Sequence, residues 1–171
     1  MRKIAHLAVL ALTVLPLGAC GMQPMYAGGG SGEVARGLSG IQVAAIEGRA
    51  GWLLRNALVD RLGASGAGEP KNPQYRLDVR VDDQLEGFGL LSDDTIGRER
   101  RTLRARFQLV DIASDEIVLD ATAGSDAGID VVSSDYATIA AEQAAQENLA
   151  KDVASRIVTT IALRLRGDTS Q

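Results

Sequence analysis

The chain has one cysteine and one histidine among its 171 residues, and both, Cys20 and His6, lie in the first twenty. With so few ligands no Cys/His metal site can be built, because a structural zinc site takes four. A single cysteine also rules out an intramolecular disulfide, even in an oxidising compartment. The longest apolar run, Ile4 to Leu17, is broken only by His6 and Thr13. It is too short to span a bilayer, which takes about 20 helical residues. Internal repeats and any sign of a second domain are missing as well.

The first twenty residues organise the rest. Arg2 and Lys3 form a basic head, the apolar run follows, and Leu17-Gly18-Ala19-Cys20 closes it with two small residues before the cysteine. This is the pattern of an export signal. Leu-Gly-Ala-Cys also resembles the lipobox of bacterial lipoproteins, in which the cysteine becomes residue one and carries acyl chains. The alternative is an ordinary secretory signal with an incidental cysteine. Each buried CH2 contributes ~0.8 kcal/mol, and two chains anchor stably. The expected mature protein is lipid-anchored through Cys20, in the outer membrane and facing the periplasm, because Gly21 rather than Asp follows the cysteine.

Processing alters the inventory. Removing the first 19 of 171 residues leaves 152, enough for one domain with a real core. Losing Arg2 and Lys3 lowers Lys+Arg from 18 to 16 against 22 Asp+Glu, a formal charge of -6. That balance argues against nucleic acid as a partner. With His6 removed and Cys20 acylated, no histidine base or free thiol remains. Carboxylate or Ser-Lys chemistry stays open, but no spacing suggests it, and neither a cofactor nor a metal is expected.

Residues 1–19 therefore read as signal peptide, 20–37 as acylated start and glycine-rich tether, 38–167 as a single domain, and 168–171 as a tail. Ile41 to Ile46 alternates as a weak first strand. Trp52 to Leu62 has helical period, with Leu54, Ala57, Leu58 and Leu62 on one face and Gly63 as a stop. Ala64 to Pro73 is rich in turn-formers. Tyr75 to Val81 alternates cleanly, Leu77, Val79 and Val81 against Arg76, Asp78 and Arg80. Gly87 to Leu91 reads as an apolar loop. Leu103 to Leu109 is a third strand, and Ile117 onward a fourth, broken or bulged between Gly124 and Gly128. Ser133-Ser134-Asp135 caps a long helix over Tyr136 to Leu165, with a stripe of Ile139, Ala140, Ala144, Val153, Ile157, Ile161 and Leu165, ending at Gly167. The fold class is α+β: a four-stranded sheet with two helices packed on one face, in the order βαβββα, preceded by a lipoprotein signal peptide. Trp52 and Tyr136 are expected as core anchors, and Glu142 and Glu147 as solvated positions.

The chain resembles the LptE lipoproteins of lipopolysaccharide assembly, in their alpha-proteobacterial form. The resemblance lies in Cys20-Gly21-Met22-Gln23-Pro24-Met25-Tyr26 and Leu53-Leu54-Arg55-Asn56-Ala57-Leu58-Val59-Asp60-Arg61-Leu62. It continues in Tyr75-Arg76-Leu77, Thr102-Leu103-Arg104-Ala105 and Ser134-Asp135-Tyr136-Ala137. It implies a sandwich that plugs the outer-membrane barrel LptD and helps deliver lipopolysaccharide to the outer leaflet.

The residues themselves offer one candidate ligand surface. Arg98, Arg100, Arg101, Arg104 and Arg106 crowd nine positions of an acidic chain. Arginine suits phosphate because its planar fork donates two parallel hydrogen bonds. The alternative is an ordinary solvated face, with Arg104 and Arg106 paired across strands to Asp78 and Asp82. Phe88, Leu90 and Leu91 either meet a barrel or lipid, or fold back on the core. Two other functions stay open: an auxiliary lipoprotein of a lipid-transporting ABC system, and a cell-wall or lipid hydrolase.

Overall fold

The computed structural model describes residues 33–63, 70–90 and 96–169. The export signal, Cys20 and most of the expected tether fall outside them. The elements are α1 (Glu33–Ser39), β1 (Ile41–Val43), α2 (Gly48–Leu62), β2 (Tyr75–Leu90), β3 (Ile96–Asp111), β4 (Glu116–Asp130) and α3 (Asp135–Thr169). The expected order βαβββα is present, with one short helix ahead of it. That helix occupies the end of the stretch expected as tether, because Ala35 and Leu38 have somewhere to bury.

The sheet order is β1-β2-β3-β4. β1 runs parallel to β2 through the α2 crossover, while β2, β3 and β4 form an antiparallel meander. β1 is shorter than its alternation suggests. After Val43 only the Ala44 amide still bonds across, to the Leu77 carbonyl at 3.1 Å. The chain then folds back on α2 so closely that a Cβ on Gly51 would lie 2.7–2.9 Å from Ile46. Only glycine fits there without movement.

Three sequence expectations about the strands and the long helix fail for identifiable reasons. Gly87 to Leu90 is strand rather than loop, because β3 supplies a partner out to Ile96; Gly89, at φ 80°, takes up the irregularity. β4 is unbroken from Gly124 to Gly128, because each residue pairs with β3; the register shifts instead at Leu109/Val110. Ladder pairing there outweighs the ~0.5–1 kcal/mol that each interior glycine costs. α3 continues through Gly167 to Thr169. Gly167 lacks the left-handed φ of a terminating glycine. The start of α3 is as expected, with the Ser134 hydroxyl accepting from the Ala137 amide at 3.4 Å.

Both long helices cover the same sheet face. Leu54, Leu58 and Leu62 of α2 and Val153, Ile157 and Ile161 of α3 meet Leu77, Leu103, Phe107 and Leu109 in one core. Trp52 and Tyr136 are not core anchors: they are 60% and 84% exposed. In the first half of the α3 stripe, Ile139, Ala140 and Ala144 also face solvent. At the far end of α3, Leu165 touches α1, where a Cβ on Gly37 would come within 3.0 Å of it. No described helix is long and apolar enough to cross a membrane.

Candidate functional site

Side chains alternate across a strand, so the opposite face of the sheet carries the other parity. No helix covers it. Read across the register from β2 through β3 to β4, its rungs include Asp78-Gln108-Asp120, Arg80-Arg106-Thr122, Asp82-Arg104-Gly124, Gln84-Thr102-Asp126, Glu86-Arg100-Gly128 and Phe88-Arg98-Asp130. Four of the five arginines picked out in the sequence, Arg98, Arg100, Arg104 and Arg106, thus share this face.

Their surroundings differ. Arg106 grips Asp120 with two hydrogen bonds, at 3.1 and 2.8 Å, and Gln108 adds a third at 2.8 Å. This pairing holds the Asp120 carboxyl at about 2, below the ordinary range, chiefly through Arg106. The alternative pairing of Arg104 and Arg106 with Asp78 and Asp82 does not occur among the described side chains. Asp78 is taken by Arg76, its neighbour two residues back on the same strand, at 3.0 Å. Arg98 pairs with Asp130 at 2.9 Å. The Arg100 guanidinium lies 5.2 Å from the centre of the Phe88 ring, so Phe88 belongs to the end of this polar face rather than to a loop. Leu90 closes β2, and its side chain lies outside the described residues.

Arg80 and Arg104 remain. Among the described residues neither has a hydrogen bond or ion pair. They meet Arg106 around a shallow groove of about 400 Å³, floored by Thr122, Ala123 and Gly124. A Cβ on Gly124 would lie 3.3 Å from the Leu103 carbonyl oxygen and 3.4 Å from Arg104 Cγ. A second depression of about 330 Å³, beside Asp78 and Gln108, shares Arg80 and Arg106. Arg80 and Arg106 sit directly opposite each other, a like-charge pair that an anion between them would relieve. Arg80 was not among the candidates from the sequence, because it stands eighteen positions before the cluster. Only the register brings it there.

Arg101 goes the other way. Its parity matches Leu103 and Phe107, so it points under α3 and leaves the cluster. There its Nε and Nη2 donate to the two carboxylate oxygens of Asp83, at 2.9 and 2.7 Å, with both side chains mostly buried. The Arg101 bond holds the Asp83 carboxyl below its usual range. Counting alternate residues back from Phe107 would have revealed this. Among the described residues no group of His, Cys, Asp or Glu is arranged to hold a metal ion.

The described residues thus form a two-layer α+β sandwich with one arginine-bearing sheet face that no described helix covers. The profile of the LptE lipopolysaccharide-assembly family matches residues 38–161, and the chain belongs to that family. A lipoprotein from Caulobacter crescentus CB15 is 30% identical to it, over 80% of this chain and 98% of the other, with a TM-score of 0.65. The rare lipoprotein B of Shewanella oneidensis (9% identity, 77% and 97% covered, TM-score 0.57) and a minor lipoprotein from Acinetobacter baumannii (19%, 72% and 88%, 0.52) share the fold. Among curated proteins, none matches the sequence. The chain is thus a bacterial envelope lipoprotein of lipopolysaccharide assembly, from a family of non-enzymatic lipoproteins.

Proposed function

We propose that this protein is anchored in the outer membrane by acyl chains on Cys20, with its folded body on the periplasmic side. There it seats in the LptD barrel, supports barrel assembly and assists delivery of lipopolysaccharide to the outer leaflet, with no catalysis of its own. Family membership supports the setting. The observation that carries the cargo contact is the groove in which Arg80 and Arg104, without carboxylate partners among the described residues, flank Arg106. Phosphate groups of lipid A fit the guanidinium forks of Arg80 and Arg104, while the Arg106 fork is held by Asp120. Arg98, Arg100 and Phe88 extend the same face toward the hairpin end and belong to the barrel or cargo contact, with Leu90 beside them in sequence.

The test has two arms. Wild-type protein recovered from membranes in mild detergent is expected to bring down a large barrel; recovery with an ATPase-permease would transfer it to a lipid-transporting ABC system. Changing Arg80, Arg104 and Arg106 together to Ser is expected to weaken binding to phosphorylated lipid A, most at low salt where wild-type attraction is strongest. Folding should be little changed, since exposed substitutions usually cost less than about 0.5 kcal/mol. Undiminished lipid A binding would leave the groove a solvated face. Cys20→Ser is expected to abolish labelling by a fatty-acid analogue.

A further inference from the structure

The first turns of α3 lie over a part of the sheet that has little apolar surface to hold them. Between Asp135 and Asn148 the only buried residues are Thr138 and Gln146, both polar; from Leu149 to Ala162 every buried residue is apolar. Tyr136 and Ile139, which could have anchored this part, face water.

What holds it is a polar tie at one place. Gln146 Nε2 donates to Asp83 Oδ2 at 2.8 Å, while Arg49 Nε of α2 donates to Gln146 Oε1 at 3.1 Å. Arg101, already locked to Asp83, reaches the Glu142 carbonyl at 3.4 Å. Toward the start of the helix the Thr138 hydroxyl supplies weak bonds to the backbone of Val132 and Ser134, at 3.3–3.5 Å. One rung beyond Arg101, the closed arrangement also keeps Glu99 Oε2 away from water with no hydrogen-bond partner among the described residues. An orphaned buried carboxylate oxygen favours any motion that readmits water.

We infer that Asp135 to Asn148, about four turns, form a strap that lifts from the sheet as a unit. It hinges where the apolar stripe begins at Leu149, and the Asp83–Arg101–Gln146 tie is its latch. Lifting uncovers Ala127 and Ile129 and hydrates Glu99, while the core under Leu149 to Ala162 stays closed. The motion is local because that segment is held by few apolar contacts. It does not depend on the arginine groove, which lies on the opposite face.

Hydrogen exchange read by mass spectrometry on the full acylated protein in mild detergent tests this. In wild type, peptides from 137–147 are expected to exchange at least about tenfold faster than those from 152–163. Arg101→Met is expected to raise the first rate about tenfold more and leave the second unchanged. If Arg101→Met speeds both segments, the milder Gln146→Ala decides. An effect confined to 137–147 supports the latch, and an equal effect on both overturns it. Uniform protection along the wild-type helix would overturn it outright.

Discussion

Along the sheet face that α2 and α3 cover, the rungs change chemistry halfway. Near β1 they read Leu77-Leu109-Leu119, Val79-Phe107-Ala121 and Val81-Ala105-Ala123; farther out, Leu85-Arg101-Ala127 and Gly87-Glu99-Ile129. Asp83-Leu103-Ser125 is the crossover. α3 changes in step, from Ile157 and Val153 to Gln146 and Thr138. The two halves share strands, helix and hydrogen-bond ladder, so the ladder alone does not distinguish them. What differs is how much apolar area leaves water, at about 25 cal/mol per Å². The near half can be the stability of the domain, and the far half is free to carry charge.

The sharpest way to break that contrast is a pair of identical substitutions on one helix. Ile157→Asp puts a carboxylate into the closed core and is expected to cost several kcal/mol, read as a collapse of the denaturation midpoint. Ile139→Asp, at a residue 50% exposed, is expected to stay within about 0.5 kcal/mol. Equal losses would erase the two-half description. Gly51→Ala comes next, because the added Cβ meets Ile46 backbone as well as side chain. Overpacking of this kind costs roughly 1–3 kcal/mol, measurable as a lower thermal midpoint with the fold retained.

A smaller effect should appear with acid. Arg101 lowers the Asp83 carboxyl in the folded state, so the stabilisation is complete above the ordinary aspartate value of about 3.9 and is lost as pH falls below it. The groups facing Asp83 are Arg101 on β3 and Gln146 on α3, with Arg49 acting through Gln146 and Glu142 through Arg101. Thermal midpoints between pH 5 and pH 3 should fall less in Asp83→Asn than in wild type, and a parallel fall would remove Asp83 from the account. Smallest of all is Arg98→Ala. Its exposed pair with Asp130 is expected to contribute at most about 1 kcal/mol, seen as a midpoint barely moved.

Sequence patterns conveyed the near half well and the far half badly. Alternation at Leu77, Val79 and Val81 and helical period at Leu54, Leu58 and Leu62 are direct traces of burial, so strands, helices and core partners follow from them. In the far half that trace stops, because Arg101, Glu99 and Asp83 occupy inward positions. Gly87, Gly124 and Gly128 there look like breaks, yet cross-strand pairing carries the chain through them. Tyr136 and Ile139 mislead in the opposite direction: apolar residues in helical register that face water. The arginines were visible as a cluster. Which ones share a face needed parity, and Arg80 needed the register of a second strand.

One further consequence comes from α1. It rests on the last turns of α3, with Gly37 against Leu165, at the pole where β1 and the apolar rungs lie. The folded body therefore takes up the chain before Glu33 at its strong pole and also ends there. The far ends of β2 and β3, at Leu90 and Ile96, stand about 50 Å away along 16-residue strands. Any tension arriving through the preceding chain first loads the contact between α1 and α3, backed by the closed core around Leu54, Ile157 and Ile161.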